Sequence, residues 1–591
     1  MKKNCDFKSV TLLASALLVP LSTLAANQTK SGAINLLSTF ECISVRAAFS
    51  GDDNANNSAT IRFRKRGTGS WLNAYPPFVD RRATLPDGAS NDYANQARGS
   101  IVGLTPDTAY DVLISWSDPD GSSGSSSITN TISTLSLVPP ANGKKLWVDA
   151  LVSSEGDGTP DSPYQTIATA LQGAKPGDTI NVRAGSYAPF VWSKSGNATN
   201  YIVLKSVAGT NAVILGGAID YNIRVKANYI VIDGFLYKNT QLSGVDVVSG
   251  AHHIFVQNGY QEEVGTAVTW GAAAVGTHTF CHDIYILTNT FKTTADSSTL
   301  QGLNGIYILG QGNETIVVSD NTISGTFWDA FGNSVGSHGS GPMNNCDMAR
   351  NKISGNLDDG VEMDGDAINM RIFANDFNSG GTDCISAAPV YVGPGYVFRN
   401  TLRGKCRTGA LKLGIPKGMD GPVYFFHNTV DTPTSSDGIT AAGGGPYKNV
   451  VFRNNIIKNK DKVITQGIGT SDDNSYDYAC YGNYTANHFR VTWQLNEVEN
   501  YTSLTSYRSA KNQDVHSFDA QGTSLWADAL YHLLNNSPAV DMGILLPNFN
   551  DAKSAWPFAG VAPDAGAFEA GSPVSLVAPA PPPNLRFVVA P

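Results

Sequence analysis

Eight short apolar stretches, each ending in asparagine, recur through the middle of the chain. They are HHIFVQN (Asn258), HDIYILTN (Asn289), ETIVVSDN (Asn321), NCDMARN (Asn351), NMRIFAN (Asn375), GYVFRN (Asn400), PVYFFHN (Asn428) and NVVFRN (Asn454), at spacings of 31, 32, 30, 24, 25, 28 and 26 residues. A period of this length marks units that cannot bury an apolar face alone and must stack on one another. Asparagine suits the end of each stretch, since it tolerates the left-handed region and stacked amides can bond from coil to coil. The ladder is therefore read as structural. Composition agrees with an all-β solenoid: charged residues are 15% of the 591, well under the usual ~25%, and there are 59 glycines. That profile argues against a coiled coil or a helical bundle. The net charge of -9 argues against a nucleic-acid binder.

The segment from Trp147 to Tyr187 (WVDA…GDGTPDSPYQTIATALQGAKPGDTINVRAGSY) resembles the opening of right-handed parallel β-helix proteins. In those proteins a short amphipathic helix, here Thr166 to Gln172, caps the first coil and covers its open strand edges. The segment Ser537 to Glu569 resembles their closing segment. A single-stranded right-handed parallel β-helix is thus expected over residues 146–570, followed by a loose Pro-rich tail, 571–591.

Ahead of it, residues 36–136 alternate as short strands, and Leu104-Thr105-Pro106-Asp107-Thr108-Ala109-Tyr110 resembles the tyrosine corner of fibronectin type III domains. A sandwich of that kind is expected there, with Trp71 and Trp116 in its core. Residues 137–145, around Val138-Pro139-Pro140-Ala141-Asn142-Gly143, read as a linker. The short linker makes the sandwich look dispensable for chemistry. At the N-terminus, Lys2, Lys3 and Lys8 precede an apolar run from Val10 to Leu18, and Thr23-Leu24-Ala25 ends in a small residue. Residues 1–25 read as a signal peptide, which implies a secreted or periplasmic protein. No later run approaches ~20 apolar residues, so no membrane span is expected. Six cysteines follow the leader (Cys42, Cys281, Cys346, Cys384, Cys406 and Cys480). They allow 15 pairings, lack any CxxC pair, and some serve equally well as buried apolar fillers.

Equivalent residues of successive coils stack at about 4.8 Å, so aligning the coils maps the surface. Eight or nine residues after each ladder asparagine from Asn321 onward, and fifteen after Asn289, a second strand begins: NGIYI (304–308), DAFGN (329–333), DGVEM (359–363), DCISA (383–387), GALKL (409–413) and DGITA (437–441). The first position runs Asn304, Asp329, Asp359, Asp383, Gly409, Asp437. The fourth, facing outward between apolar residues, runs Tyr307, Gly332, Glu362, Ser386, Lys412, Thr440. Asp329, Asp359 and Asp383 thus fall on consecutive coils, with Asp358 and Glu362 beside the middle one. Carboxylates at such spacing repel unless a cation sits among them or some are protonated. An all-oxygen set suits Ca²⁺. The plain alternative is that each aspartate caps its own turn. Lys412 is the one long cationic side chain of the outward column. An exposed position would let Lys412→Ala change stability by no more than about 0.5 kcal/mol.

Here the chain resembles polysaccharide lyases of the parallel β-helix kind, most nearly the family 9 pectate lyases. In that family a DDGxD coil and an aspartate of the preceding coil supply calcium ligands, and a lysine in a strand of the type FKLG is the base. The resemblance implies that Asp358, Asp359, Glu362 (in place of the last aspartate) and Asp329 bind Ca²⁺. It also implies that Lys412, in Leu411-Lys412-Leu413-Gly414, takes the C5 proton of a uronic acid, with Asp359, Glu362 and Asp383 in the catalytic group. The spacing from the acids to the lysine is longer than the family's, as if one coil (375–400) were added. Arg403, Arg407, Tyr307 and Lys417 are the candidates to hold an acidic polysaccharide, and the chain is expected to act as a monomer.

Two rivals stand beside this reading. A glycoside hydrolase would use two carboxylates and no essential metal, and both separations that such enzymes use are available among Asp329, Asp359 and Asp383. The polygalacturonase motifs are not matched, since Ser337-His338-Gly339-Ser340 falls before the acid pair. A non-catalytic adhesin or glycan-binding solenoid would scatter these acids and Lys412 in space.

Overall fold

The computed structural model describes residues 27–571, apart from 208–210, 218, 263–272, 294–301, 334–342, 379–380, 405, 436, 467–472, 485–490 and 495–497. The expected leader, the tail beyond 571 and the Ser337–Ser340 motif lie outside the described residues.

Residues 145–519 wind as a parallel β-solenoid, and among the described residues each of its three sheets has 13 strands. Each full coil contributes one strand to each sheet; the third sheet ends in an antiparallel pair, Val491–Gln494 with Val498–Tyr501. In the first sheet, Val231, Phe255, Tyr285 and Val317 stand in one register column. Their neighbours Ile254, Ile284 and Ile316 belong to the buried core that runs inside the coils. Alternation along each strand thus sorts side chains between the interior and the outer face. The helix Ile167–Gly173 buries Ile167, Ala170 and Leu171 over the first coil, and Thr166 caps it by accepting from the Thr169 N–H.

The ladder is present but offset from its expected ends. The Oδ1 of Asn321 accepts from the Asn289 backbone N–H at 2.8 Å and its Nδ2 at 3.1 Å. The pattern repeats through Asn351, Asn375, Asn400 and Asn428. It closes on Asn455, not Asn454. At the other end Gly259, not Asn258, meets Asn289. Nor do the ladder asparagines hold the left-handed backbone. The residues just before them do: Asn258, Thr288, Asp320, Arg350, Ala374, Arg399, His427 and Asn454 have φ between 54° and 61°. Asn258 and Asn454 belong to that column, which accepts many residue types. The ladder proper needs an amide that both donates and accepts.

Residues 30–133 form two facing antiparallel sheets, starting six residues ahead of the expected boundary. The Tyr110 hydroxyl accepts from the Thr105 N–H at 3.0 Å, as the corner motif requires. Trp116 is in the core. Trp71 is not: it lies under the Arg64 guanidinium, 4.4 Å from the ring centre. The sandwich is not a detachable module. Phe40 packs against Tyr201, Val231, Phe255, Tyr285 and Val317 on the outer face of the first sheet. Further along, Cys42, Val102 and Tyr75 meet Phe373, Tyr396, Phe398, Tyr424, Phe426 and Phe549. Arg98, fully buried, donates to Gly393 O at 2.9 Å and Val392 O at 3.0 Å. The linker is docked too, since Pro140 O accepts from the Tyr201 N–H.

Cys384 and Cys406 form a disulfide between consecutive coils, while Cys42, Cys281, Cys346 and Cys480 are free and buried. No helix among the described residues is long and apolar enough to cross a membrane.

Candidate functional site

The third sheet carries the acidic column in the register the coil alignment predicts. Asp359 stands opposite Asp383, Asp383 opposite Gly409, and Gly409 opposite Asp437. Tyr307 pairs with Gly332, Glu362 with Ser386, and Ser386 with Lys412. A regular strand would send its first and third residues to one face, burying Asp359 beside Val361. These strands break alternation. The second position is small in every coil (Gly305, Ala330, Gly360, Cys384, Ala410, Gly438) and faces inward. Ala330, Cys384 and Ala410 belong to the core, and a Cβ on Gly360 would run into Phe377 and the Cys384 carbonyl. Two successive inward positions leave the first and fourth both facing outward, so Asp359 and Glu362 share a face.

Asp329, Asp359 and Glu362 each bring one carboxylate oxygen within 4.8 Å of the others. Asp329 Oδ1 accepts from the Asp359 backbone N–H at 2.9 Å, and Glu362 Oε2 from the Asn333 N–H at 2.9 Å. Asp364 lies behind, held by the Ser386 hydroxyl and the Ala388 N–H. Lys412 reaches back over the Asp383 coil to donate to Asp359 Oδ2 at 2.5 Å, with Asp383 Oδ2 3.9 Å from its Nζ. The other Asp359 oxygen, Oδ1, is buried and has no hydrogen-bond partner.

One lysine among five buried or half-buried acids leaves them underbalanced. Burial, with Asp358 and Asp364 adding repulsion, raises Asp329 to about 7 against the Asp359 N–H and Lys412. Burial raises Asp383 to about 6. Asp359 goes up by burial, against the pull of Lys412. Glu362 goes up by burial and by repulsion from Asp329, Asp364 and Asp359. Tyr307 is lifted to about 12 by burial and by Glu362 and Asp329. Lys412 moves the other way for a lysine in a cleft. Burial would lower it, but Asp359, Asp364 and Asp383 outweigh burial and hold the ammonium form. With a side chain 21% exposed against 1% for Asp359, Lys412 is a buried partner rather than a free surface lysine. The expectation of an almost neutral Lys412→Ala does not survive this geometry.

The donor set fits a hard cation. Three carboxylate oxygens converge, Asp359 keeps one oxygen without a partner, and among the described residues no histidine or cysteine joins them. Gly332 keeps the space open, since a Cβ there would stand 3.1 Å from Asp329 Oδ2, 3.1 Å from Asn304 Oδ1 and 3.2 Å from Tyr307.

Other sequence candidates fall differently. Asp358 is adjacent, but it is not one of the three converging acids; its backbone carbonyl accepts from the Thr382 N–H. Arg407 is exposed and reaches back along the coils to Thr382 Oγ1 at 3.2 Å and Leu357 O at 3.4 Å, at the edge of the acid column. Arg403 lies in a strand of the second sheet, paired through two bonds with Asp376. Lys417 is exposed in the loop after the Gly409–Leu413 strand. Asp364 and Asn333 are members of the site that column reading passed over. Asp364 follows the strand rather than occupying a column position, so only its return toward Ser386 reveals it.

No protein-family model matches the chain, and no curated protein matches it. Among solved structures the chain is similar to pectate lyase Pel9A, at 15% identity and a TM-score of 0.40 over 73% of this chain and 97% of that one. It is similar to a rhamnogalacturonan lyase at 14% identity and a TM-score of 0.33, over 64% of this chain and 87% of that one. With the PL6 family alginate lyase AlyGC it shares 14% identity at a TM-score of 0.35, over 60% of this chain and 55% of that one.

Proposed function

We propose that this chain is a carbohydrate-active enzyme, a polysaccharide lyase that cleaves a uronic-acid-containing polysaccharide by calcium-assisted β-elimination. The observation that carries the reading is Asp359: one oxygen is buried without a partner and the other holds Lys412. Asp329, Asp359 and Glu362 would hold the ion, with Asp358 at its edge. When bound, calcium would offset the sugar carboxylate and favour the negative charge that develops next to it.

The remaining work belongs to the side chains. While Asp359 serves Lys412, the amine stays protonated. Once the Asp359 charge is committed to a cation, only Asp364 and Asp383 still oppose burial, and Lys412 is drawn toward the neutral form. Neutral Nζ then takes the C5 proton. The C5–H electron pair becomes the C4–C5 double bond, and the C4–O bond breaks. Asp383, raised to about 6 and beside Lys412, is placed to return a proton to the departing oxygen. Arg407 and Lys417 supply positive charge along the substrate path, and Tyr307 stands at its other end. The protein would act as a monomer outside the cytoplasm, with residues 1–25 as its export signal.

A second reading is favoured by one observation. Asp359 and Asp383 are raised carboxyls on adjacent coils, which is also how a hydrolase arranges an acid and its partner. A panel of acidic polysaccharides separates the two. Elimination gives an unsaturated product with ultraviolet absorbance, dependent on calcium. Reducing ends without that absorbance, formed in excess chelator, would overturn the lyase reading in favour of hydrolysis.

A further inference from the structure

On the first sheet, well away from the acid column, three imidazoles converge. His252 and His282 stand in register on adjacent coils, with rings stacked at 4.6 Å and 7°. His253 joins them because its backbone is left-handed, with φ of 57°. That turn breaks alternation and brings its Nδ1 to 2.8 Å from the His252 Nδ1. One ring nitrogen from each histidine lies within 4.8 Å of the other two. Asp283, left-handed like His253, stands beside them. Its Oδ2 is 2.7 Å from the His282 Nδ1 and 3.6 Å from the His253 Nδ1, and its Oδ1 accepts from the Tyr285 hydroxyl.

We infer that His252, His253 and His282 form a site for a divalent transition-metal ion of the zinc class, oriented by Asp283 and separate from the acidic cluster. Two nitrogens 2.8 Å apart can share at most one proton, so one lone pair faces the other ring whatever the tautomer. Imidazole nitrogens suit zinc, nickel or copper(II) and not calcium. Tetrahedral zinc at ~2.05 Å from each nitrogen needs nitrogens ~3.3 Å apart, between the 2.8 Å of the nearest pair and the 4.8 Å that bounds all three. A carboxylate on the far nitrogen of a ligating histidine is the usual means of fixing ring and tautomer, and Asp283, 2.7 Å from the His282 Nδ1, would do this with Nε2 as the ligand. The site is open to solvent, since the His253 and His282 side chains are 29% and 41% exposed.

The test is calorimetric titration of the untagged full chain with zinc chloride. His282→Gln and His253→Asn, the latter keeping a residue that tolerates left-handed backbone, should each weaken one zinc equivalent at least tenfold. Glu362→Gln should leave that equivalent unchanged. In the unmutated protein, zinc should protect His252, His253 and His282 from diethylpyrocarbonate, read by peptide mass, and leave His278 and His516 reactive. Unaltered zinc binding in both histidine variants, zinc loss confined to Glu362→Gln, or absence of selective protection would each overturn the site.

Discussion

Two clusters of buried charge lie on the same solenoid, and burial acts on both alike. At the seam with the sandwich, Asp80 is fully buried beside Arg98 and Arg82, and Arg82 also meets Asp420. Burial alone would raise Asp80, but Arg82 and Arg98 overcome it and hold it at about 2. On the third sheet, Asp329, Asp359, Glu362, Asp364 and Asp383 share Lys412, and every one of these acids is raised. Burial is common to the two clusters and the count of cations is not. A balanced cluster is finished and serves as an internal joint; an underbalanced one retains an unmet demand for positive charge.

The contrast breaks most sharply at Lys412. Lys412→Ala should lower turnover at least ~10²-fold if Nζ is the base. It should at the same time tighten calcium binding, because it removes the cation that competes for Asp359. It should also destabilise the chain, more at high pH than at low, because a proton on Asp359 relieves the charge that Lys412 balanced. Weaker calcium binding in this variant, by calorimetry, would place Lys412 outside the electrostatics of the site.

The matching change at the seam is Arg98→Met. It removes one of the cations of Asp80 and strips Val392 and Gly393 carbonyls of a donor, so urea unfolding should show a loss of about 3 kcal/mol. Turnover per folded molecule should stay near that of the parent. A neutral Arg98→Met would mean that the seam adds nothing and that the sandwich is dispensable after all.

Acid and calcium should act on the two clusters with opposite sign. Asp80 has a lowered pKa, so its contribution, about 2 kcal/mol, is present above pH ~4 and lost as pH falls through about 2. Asp329 and Asp383 are raised to about 7 and about 6. Between pH ~4 and ~7 the folded state therefore binds more protons than the unfolded chain, and stability falls as pH rises. Calcium should raise the melting temperature clearly at pH 7.5 and little at pH 5. Equal shifts at the two pH values would show that the ion binds elsewhere.

The smallest effect belongs to Gly332→Ala. A methyl group close to Asp329 Oδ2, Asn304 Oδ1 and Tyr307 should weaken calcium a few-fold, with a stability cost under about 1 kcal/mol. Unchanged affinity would put the ion on the Lys412 side of Asp359.

Much of this was legible as text. The period of the asparagines and the column order from Asn304 to Asp437 read directly onto the sheets, because stacking turns sequence spacing into distance. Single-residue offsets did not. Asn258 and Asn454 look like ladder members, and only backbone conformation and hydrogen bonding separate them from Gly259 and Asn455. The partnership of Lys412 with Asp359 depends on a side chain reaching back across a whole coil. The seam involves residues about 300 positions apart, such as Arg98 and Val392. Yet a sign of it was available: the outward column Val231, Phe255, Tyr285, Val317 is apolar where a solvated face would be polar, which means that something must cover it.

The sandwich lies along the solenoid from the coil of Tyr201 to that of Tyr424, and this gives the molecule a ruler. Solenoids can grow or shrink by whole turns, because each turn touches only its neighbours. Here an added turn between Asp359 and Lys412 would move the lysine about 4.8 Å along the axis and sever their pairing. An added turn anywhere under the sandwich would carry one half of the seam out of step with a partner whose length cannot change. Duplication or loss of turns is therefore tolerable only beyond the two ends of the sandwich. Relatives of different length should differ there, and keep the covered stretch at a constant number of turns.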